Sequence, residues 1–279
     1  MRKLLLPTLC TFLLSANVSQ ASYIDLTTAD SSGTINGALF QQGAVLSGSG
    51  VFPAFVQVAG GGSPPVHDAY NTTVNNVLFN GSSDTFNHAI TLGDVGTDST
   101  GTYYQFFLDI NESNNDTDKW LSLDQLQIYT STDPNQSTTN VSSLGTLRYD
   151  MGAGNGVYMN YDLEAGSGDA DMMLLVPISN FGADPNSIYV YLYSQFGVLG
   201  LNPAGAPCTN PAASGGCNYG NSDGFEEWAL GQVRVPPPPC DGCTPTPNDF
   251  ATPEPASLVL LGSGLVGLAA YRRRKGRTN

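Results

Sequence analysis

Apolar and polar residues alternate along much of the chain with the period of two that marks a strand with one face buried. Over residues 157–163, Val157, Met159, Tyr161 and Leu163 fall on one face, and Tyr158, Asn160 and Asp162 on the other. Residues 187–196 repeat the pattern, with Ile188, Val190 and Leu192 opposite Tyr189, Tyr191 and Tyr193. Residues 102–110 and 121–129 are rich in aromatic and apolar strand formers, and a polar loop of Asn, Asp and Ser separates them. Further strands are predicted over 23–27, 34–40, 51–58, 85–92, 144–149, 171–178 and 227–235. Gly, Asn, Asp, Ser and Pro cluster between these segments, where turns are needed. No window carries the 3.6 period of a long amphipathic helix. The expected fold is all-β, a β-sandwich or jelly roll.

The two ends break this pattern. Met1-Arg2-Lys3 precedes the apolar stretch 4–14, and Ser19-Gln20-Ala21 places small residues before a cut between Ala21 and Ser22. Residues 1–21 therefore read as a secretory signal peptide. At the other end, Pro253-Glu254-Pro255 is followed by an uncharged apolar run over 256–271 and then by Arg272, Arg273, Arg274, Lys275 and Arg277. Sixteen residues of helix span ~24 Å, enough to cross the hydrocarbon core if Tyr271 and the arginines sit at its boundary. The crowded cations orient such a helix with its end on the cytoplasmic side and the preceding chain outside. Gly262, Gly264 and Gly267 match a dinucleotide-binding spacing, but no following helix and acidic residue complete it, so they read as small residues of a membrane helix.

Motif, apolar helix and basic stop together resemble the PEP-CTERM sorting signal. The resemblance covers about a tenth of the chain. It implies recognition through Pro253, Glu254 and Pro255, a stop supplied by Arg272, Arg273 and Arg274, and processing by an exosortase in the inner membrane. It also implies delivery to the cell surface or outside it, with transient anchoring by the C-terminal helix, and a role in exopolysaccharide or biofilm.

Four segments follow: the signal peptide 1–21, a β-sandwich ectodomain 22–235, a Pro/Thr-rich linker 236–252 opened by Pro236–Pro239, and the sorting signal 253–279. Between the two ends the charge is lopsided. Only Lys119, Arg148 and Arg234 face 23 acids, a formal charge of −20. Such a domain repels nucleic acid and other polyanions. Its acidity suits solubility outside the cell, and also suits Ca²⁺.

The ectodomain and linker hold four cysteines, Cys208, Cys217, Cys240 and Cys243, an even number in an exported chain. Disulfides are expected, with Cys208 to Cys217 and Cys240 to Cys243 the preferred pairing of three. Zinc is the rival, but the four offer one C-x₂-C pair with no histidine nearby.

Enzyme signatures are weak. His67 and His88 are the only histidines, and no nucleophile elbow, HExxH or phosphate loop is present. Glu226 and Glu227 lie near Trp228, but in a strand they point to opposite faces. The chain is expected to be non-enzymatic. As an alternative it is a carbohydrate-binding module in which Tyr189, Tyr191 and Tyr193 stack on sugar rings; a polysaccharide-processing enzyme is the further rival. No cofactor is expected apart from a Ca²⁺ site at Asp109, Asn111 and Asp116, which open an oxygen-rich loop, or near Asp169-Ala-Asp171. A true EF-hand is excluded, because Trp120 stands where the bidentate Glu belongs.

Overall fold

The computed structural model describes residues 22–44, 53–60, 65–74, 77–81, 85–164, 170–201, 205–207 and 216–230. Thirteen strands run through them. The first seven are β1 (Tyr23–Asp25), β2 (Ser32–Ile35), β3 (Ala38–Ala44), β4 (Ala54–Ala59), β5 (His67–Tyr70), β6 (Ile90–Thr91) and β7 (Tyr103–Asp109). They are followed by β8 (Trp120–Ser131), β9 (Thr146–Asp150), β10 (Gly156–Asn160), β11 (Ala170–Pro177), β12 (Tyr189–Phe196) and β13 (Phe225–Leu230). Short 3₁₀ turns are the only helical elements among the described residues.

The strands form two sheets. One has the order β1-β10-β8-β12-β5, with β6 added to β12 and β9 to β8; the other has the order β2-β3-β11-β7-β13-β4. All pairs are antiparallel except β1 with β10. Each sheet turns an apolar face into one shared cluster. Phe40, Val56, Phe106, Leu108, Leu174 and Trp228 from the second sheet join Leu121, Leu123, Ile128, Val157, Val190 and Leu192 from the first. Each such side chain taken fully from water stabilises the fold by roughly 1.5–3 kcal/mol. The alternation read from the sequence selects this face correctly: Val157 and Met159 are buried in it, and Tyr161 packs against its rim.

Several boundaries differ from expectation. The single strand expected over 34–40 is a hairpin, folded at Asn36 (φ 49°) and Gly37 (φ 86°), with Ile35 paired to Ala38. Two consecutive positive φ values are what a two-residue type I′ turn needs, and Asn-Gly is its preferred dipeptide. The strand expected over 85–92 reduces to Ile90–Thr91. Upstream of it, buried Asn87 accepts from Gln57 N at 3.0 Å and donates to Gly81 O at 3.0 Å, so a side chain does the work of a ladder. The strand expected over 157–163 stops at Asn160, whose side chain accepts from Asp162 N at 3.1 Å and starts a 3₁₀ turn. Strand β5 has no counterpart in the sequence reading.

The signal peptide 1–21, the linker 236–252 and the C-terminal helix expected over 256–271 lie outside the described residues. Among the described residues no helix is long and apolar enough to cross a membrane.

Candidate functional site

Three strand ends of the second sheet, β7, β11 and β13, bring acids together. Asp109 closes β7, Asp171 lies near the start of β11, and Glu226 near the start of β13. The pairing Met172↔Leu108 sets Asp171 close to Asp109, and Trp228↔Leu108 fixes the height of Glu226. Glu112 joins them from the loop after β7. All four are nearly closed to solvent: Asp109 is 1% exposed, Glu112 4%, Asp171 4% and Glu226 0%.

Backbone and neutral side chains donate hydrogen bonds to Asp171, Glu226 and Glu112. Asp171 Oδ2 accepts from Ile110 N at 2.8 Å. Glu226 Oε2 accepts from Asn111 N at 3.0 Å, and its Oε1 accepts from Asn221 Nδ2. Glu112 Oε2 takes both Ser222 N at 2.8 Å and Ser222 Oγ at 2.5 Å. Burial raises the affinity of Glu112, Asp171 and Glu226 for a proton. In Glu226 the nearby charges of Glu112, Asp171 and Asp109 add to it, and in Asp171 those of Asp109 and Glu164.

The loop expected to hold Ca²⁺ is arranged differently from the expectation. Asp116 is turned outward, its side chain 72% exposed and 3.5 Å from Lys119 Nζ. Asn111 contributes its backbone N–H to Glu226. Asp109 stands with Asp171, not with Asp116, so the two acidic segments singled out separately in the sequence meet in space. The expected set Asp109, Asn111 and Asp116 is thus corrected. Glu112 and Glu226 are the residues sequence reasoning passed over for this site. Glu112 lies inside the same oxygen-rich loop, at one of its even positions, and only strand pairing brings Glu226 to it. Among the described residues no three His, Cys, Asp or Glu side chains meet to hold a metal.

The tyrosine ladder of β12 is not an open platform. Tyr191 is 0% exposed, Tyr193 4%, and Tyr189 half-buried. They pack with Tyr70, Val77, Tyr129 and Leu144 in a second cluster on the far face of the first sheet. Tyr191 Oη donates to Asp133 O at 2.6 Å, and Tyr193 Oη to Asp68 Oδ2 at 2.9 Å. The expectation of a stacking ladder is corrected on that ground: segments on either side of the strand fold over these rings, and alternation cannot foresee what covers the second face of a strand.

Cys217 is fully buried beside Trp120, Tyr158 and Tyr219 and is disulfide-bonded. Cys208, Cys240 and Cys243 lie outside the described residues, as do Ala21, Pro253, Glu254, Pro255, Arg272, Arg273 and Arg274. Ser22 is exposed, and its N–H donates to Asn155 Oδ1 at 2.9 Å.

A protein-family model, the PEP-CTERM protein-sorting motif, matches residues 251–275. The chain carries a PEP-CTERM sorting signal. The match spans the tripeptide, the apolar run and the first four residues of the basic stop, as the sequence pattern requires. No curated protein and no solved structure matches the chain. A PEP-CTERM signal marks an exported chain with a membrane-anchored sorting segment, handled by exosortase-type processing. It says nothing of the acidic end of the β fold.

Proposed function

We propose that this PEP-CTERM protein is a non-enzymatic component of the cell surface or extracellular matrix, associated with exopolysaccharide or biofilm. The observation that carries the reading is the sorting signal at 251–275. The scarcity of described cations, Lys119 and Arg148 alone, fits a domain kept soluble outside the cell by self-repulsion. A catalytic carboxylate pair must face substrate, whereas Glu112 and Glu226 are 4% and 0% exposed and leave a sugar no face to approach. His67 is 3% exposed and stacked on Phe79 at 4.7 Å, a packing role.

The ectodomain reads as a jelly-roll sandwich. Supporting this, β4-β13-β7-β11 in one sheet faces β5-β12-β8-β10 in the other through the shared core, and most successive strands change sheet. That is the eight-strand order made by two interlocked Greek keys. Closing the Greek keys leaves loops at both ends for display, but a fold of this kind hosts many functions and names none.

Intact mass spectrometry of the protein from envelope, medium and extracted exopolysaccharide tests the reading, beside Glu254→Ala. The wild type is expected to begin at Ser22, to end near Pro255 and to be enriched with the polysaccharide. A tail intact through Asn279 in both proteins overturns processing; a processed form absent from the polysaccharide overturns the matrix role.

Carbohydrate binding is the second reading, and one observation favours it. Tyr23 is 41% exposed and lies stacked on Tyr158, 5.2 Å between centroids at 16°, a flat aromatic face presented to solvent. Glycan-array binding that is lost in Tyr23→Ala is the expected result under this reading, and an array blank for the wild type removes it.

A further inference from the structure

The outer face of the first sheet is aromatic at its β1 edge. Ile24 is buried in the core, so its neighbours Tyr23 and Asp25 share the opposite face, and both are exposed. Strand β1 runs parallel to β10 and sets Tyr23 opposite Gly156 and Asp25 opposite Tyr158. From Tyr23 a chain of rings leads inward. It stacks on Tyr158, Tyr158 meets Tyr219 at 5.1 Å between centroids, and Tyr219 meets Trp120 at 5.9 Å.

Two features mark this surface as a site. Gly156 has no side chain where an added Cβ would stand 2.7 Å from Tyr23 Cε1, so the ring lies on the sheet because a glycine is there. Gly156 is not one of the positive-φ glycines, so the missing Cβ serves the ring and not the backbone. The second feature is the hydroxyl of Tyr219. The residue is 0% exposed, and its Oη is buried with no hydrogen-bond partner. Burial, and then the nearby Asp25 carboxylate and Tyr158, push its pKa up. A buried hydroxyl left so costs stability until something completes it.

Asp25 supplies an acceptor beside the ring. Its Oδ1 takes both Thr27 N at 2.9 Å and Thr27 Oγ1 at 2.6 Å, which leaves Oδ2 for a further donor. Two residues apart on one strand face is roughly 7 Å, a spacing that one sugar residue with its hydroxyls can bridge. The C–H face of a pyranose lies on a flat aromatic, and its hydroxyls donate to a carboxylate. Charge then selects among sugars. Asp124, which accepts from Ser122 Oγ at 2.8 Å opposite Tyr158, adds a second acid. Lys119 is engaged by Asp162 at 2.6 Å and Arg148 by Asp184 at 2.5 Å, and no other Lys or Arg is present among the described residues. A uronate or a sulfate would meet carboxylates here and no cation to offset them.

We propose that the outer face of β1 is a subsite for one neutral sugar residue, a step that rests on the carbohydrate-binding reading above. The sugar lies on the Tyr23 ring, gives a hydroxyl to Asp25 Oδ2, and reaches the hydroxyl of Tyr219 through a bridging water. Gly156 is a positioning residue: it touches no sugar and sets the plane of the Tyr23 ring. The polysaccharide that this chain recognises is therefore uncharged, not a polyuronate.

The test is affinity electrophoresis of the full chain, in a detergent without a sugar headgroup, through native gels. The gels hold either a neutral polysaccharide (dextran, mannan or a β-glucan) or the polyuronate alginate, and Tm is measured alongside. Retardation by a neutral polymer and not by alginate is expected. Asp25→Asn keeps an oxygen for the Thr27 bonds but loses the charge, and should weaken binding about fivefold. Tyr219→Phe should weaken it by about as much with Tm unchanged or higher, because it removes only an unpaired buried hydroxyl. Gly156→Ala displaces the ring and should weaken binding at least about tenfold with every contacting group kept. A wild type retarded by no polymer removes the carbohydrate reading and this subsite with it. Retardation by alginate as strong as by the neutral polymers overturns the subsite alone and leaves carbohydrate binding standing. So does wild-type affinity in both Asp25→Asn and Tyr219→Phe.

Discussion

Trp228 on β13 donates its indole N–H to Ser194 Oγ on β12 at 3.0 Å, a hydrogen bond that crosses from one sheet to the other inside the core. Both residues are 0% exposed, so neither group has water as a fallback. Ser194→Ala is expected to cost roughly 1–3 kcal/mol by orphaning the N–H. Trp228→Phe adds a cavity to the orphaned hydroxyl and is expected to cost roughly 2–4 kcal/mol. In urea unfolding, the double variant should lose less than the sum of the two. Strict additivity would mean that the bond contributes nothing of its own.

Two glycines with almost the same backbone angle separate strain from clash. Gly37 (φ 86°) would present an added Cβ to open space, whereas at Gly197 (φ 85°) that Cβ would stand 2.0 Å from Pro65 O and 2.9 Å from Asn221 N. Gly37→Ala is expected to cost about 1 kcal/mol, for the conformation alone. Gly197→Ala must also push apart the segment around Pro65, which accepts from Asn221 N at 2.9 Å, and should cost several times more. Equal losses of Tm in the two variants would refute the steric argument.

Asp124 makes stability depend on pH. Its carboxylate, 8% exposed, accepts from Ser122 Oγ and Val198 N, both at 2.8 Å, yet burial outweighs these bonds and raises its pKa from 3.8 to about 6. Between those values the folded chain binds more protons than the unfolded one. This contribution to stability therefore grows as pH falls through that window and is lost as pH rises through about 6. It amounts at most to about 1.4 kcal/mol for each tenfold gain in proton affinity on folding. Urea unfolding at about pH 4.5 and about pH 7.5 should show the difference shrinking in Asp124→Asn, which carries no charge at either pH. An unchanged difference would assign the effect to other buried acids.

Much of the fold was legible because β7, β8, β11 and β12 are long runs of strand formers, and the alternation of Val190 and Leu192 against Tyr191 and Tyr193 named the core face. What alternation could not supply was the cover on the opposite face, since loops distant in sequence bury those tyrosines. The Asn36-Gly37 turn was readable, and only the absence of a polar gap between the two short strands hid it. The acidic end was half legible. Composition flagged Asp109 and Asp171, but Glu226 comes beside Asp109 only because β13 pairs with β7, a long-range pairing that no local period encodes. The sorting signal was fully legible, being local and linear: a tripeptide, an apolar run and a cluster of arginines are read without any tertiary contact.

Cys217 gives the last prediction. It is disulfide-bonded, and its burial against Trp120, Tyr158 and Tyr219 sets the loop before β13 against an aromatic cluster of the first sheet. Cys208 is the cysteine nearest in sequence, and the closed loop of about ten residues should stabilise the fold by about 2–3 kcal/mol through the unfolded chain. Cys208→Ser and Cys217→Ser are therefore expected to lose the same amount, and the double variant no more than either alone. Cys240→Ser should leave Tm unchanged, because its position follows the last described strand. A non-reducing peptide map decides the matter directly: a Cys208–Cys217 peptide is expected, and Cys217 joined to Cys240 or Cys243 would replace the short loop by a tie between the ectodomain and its linker.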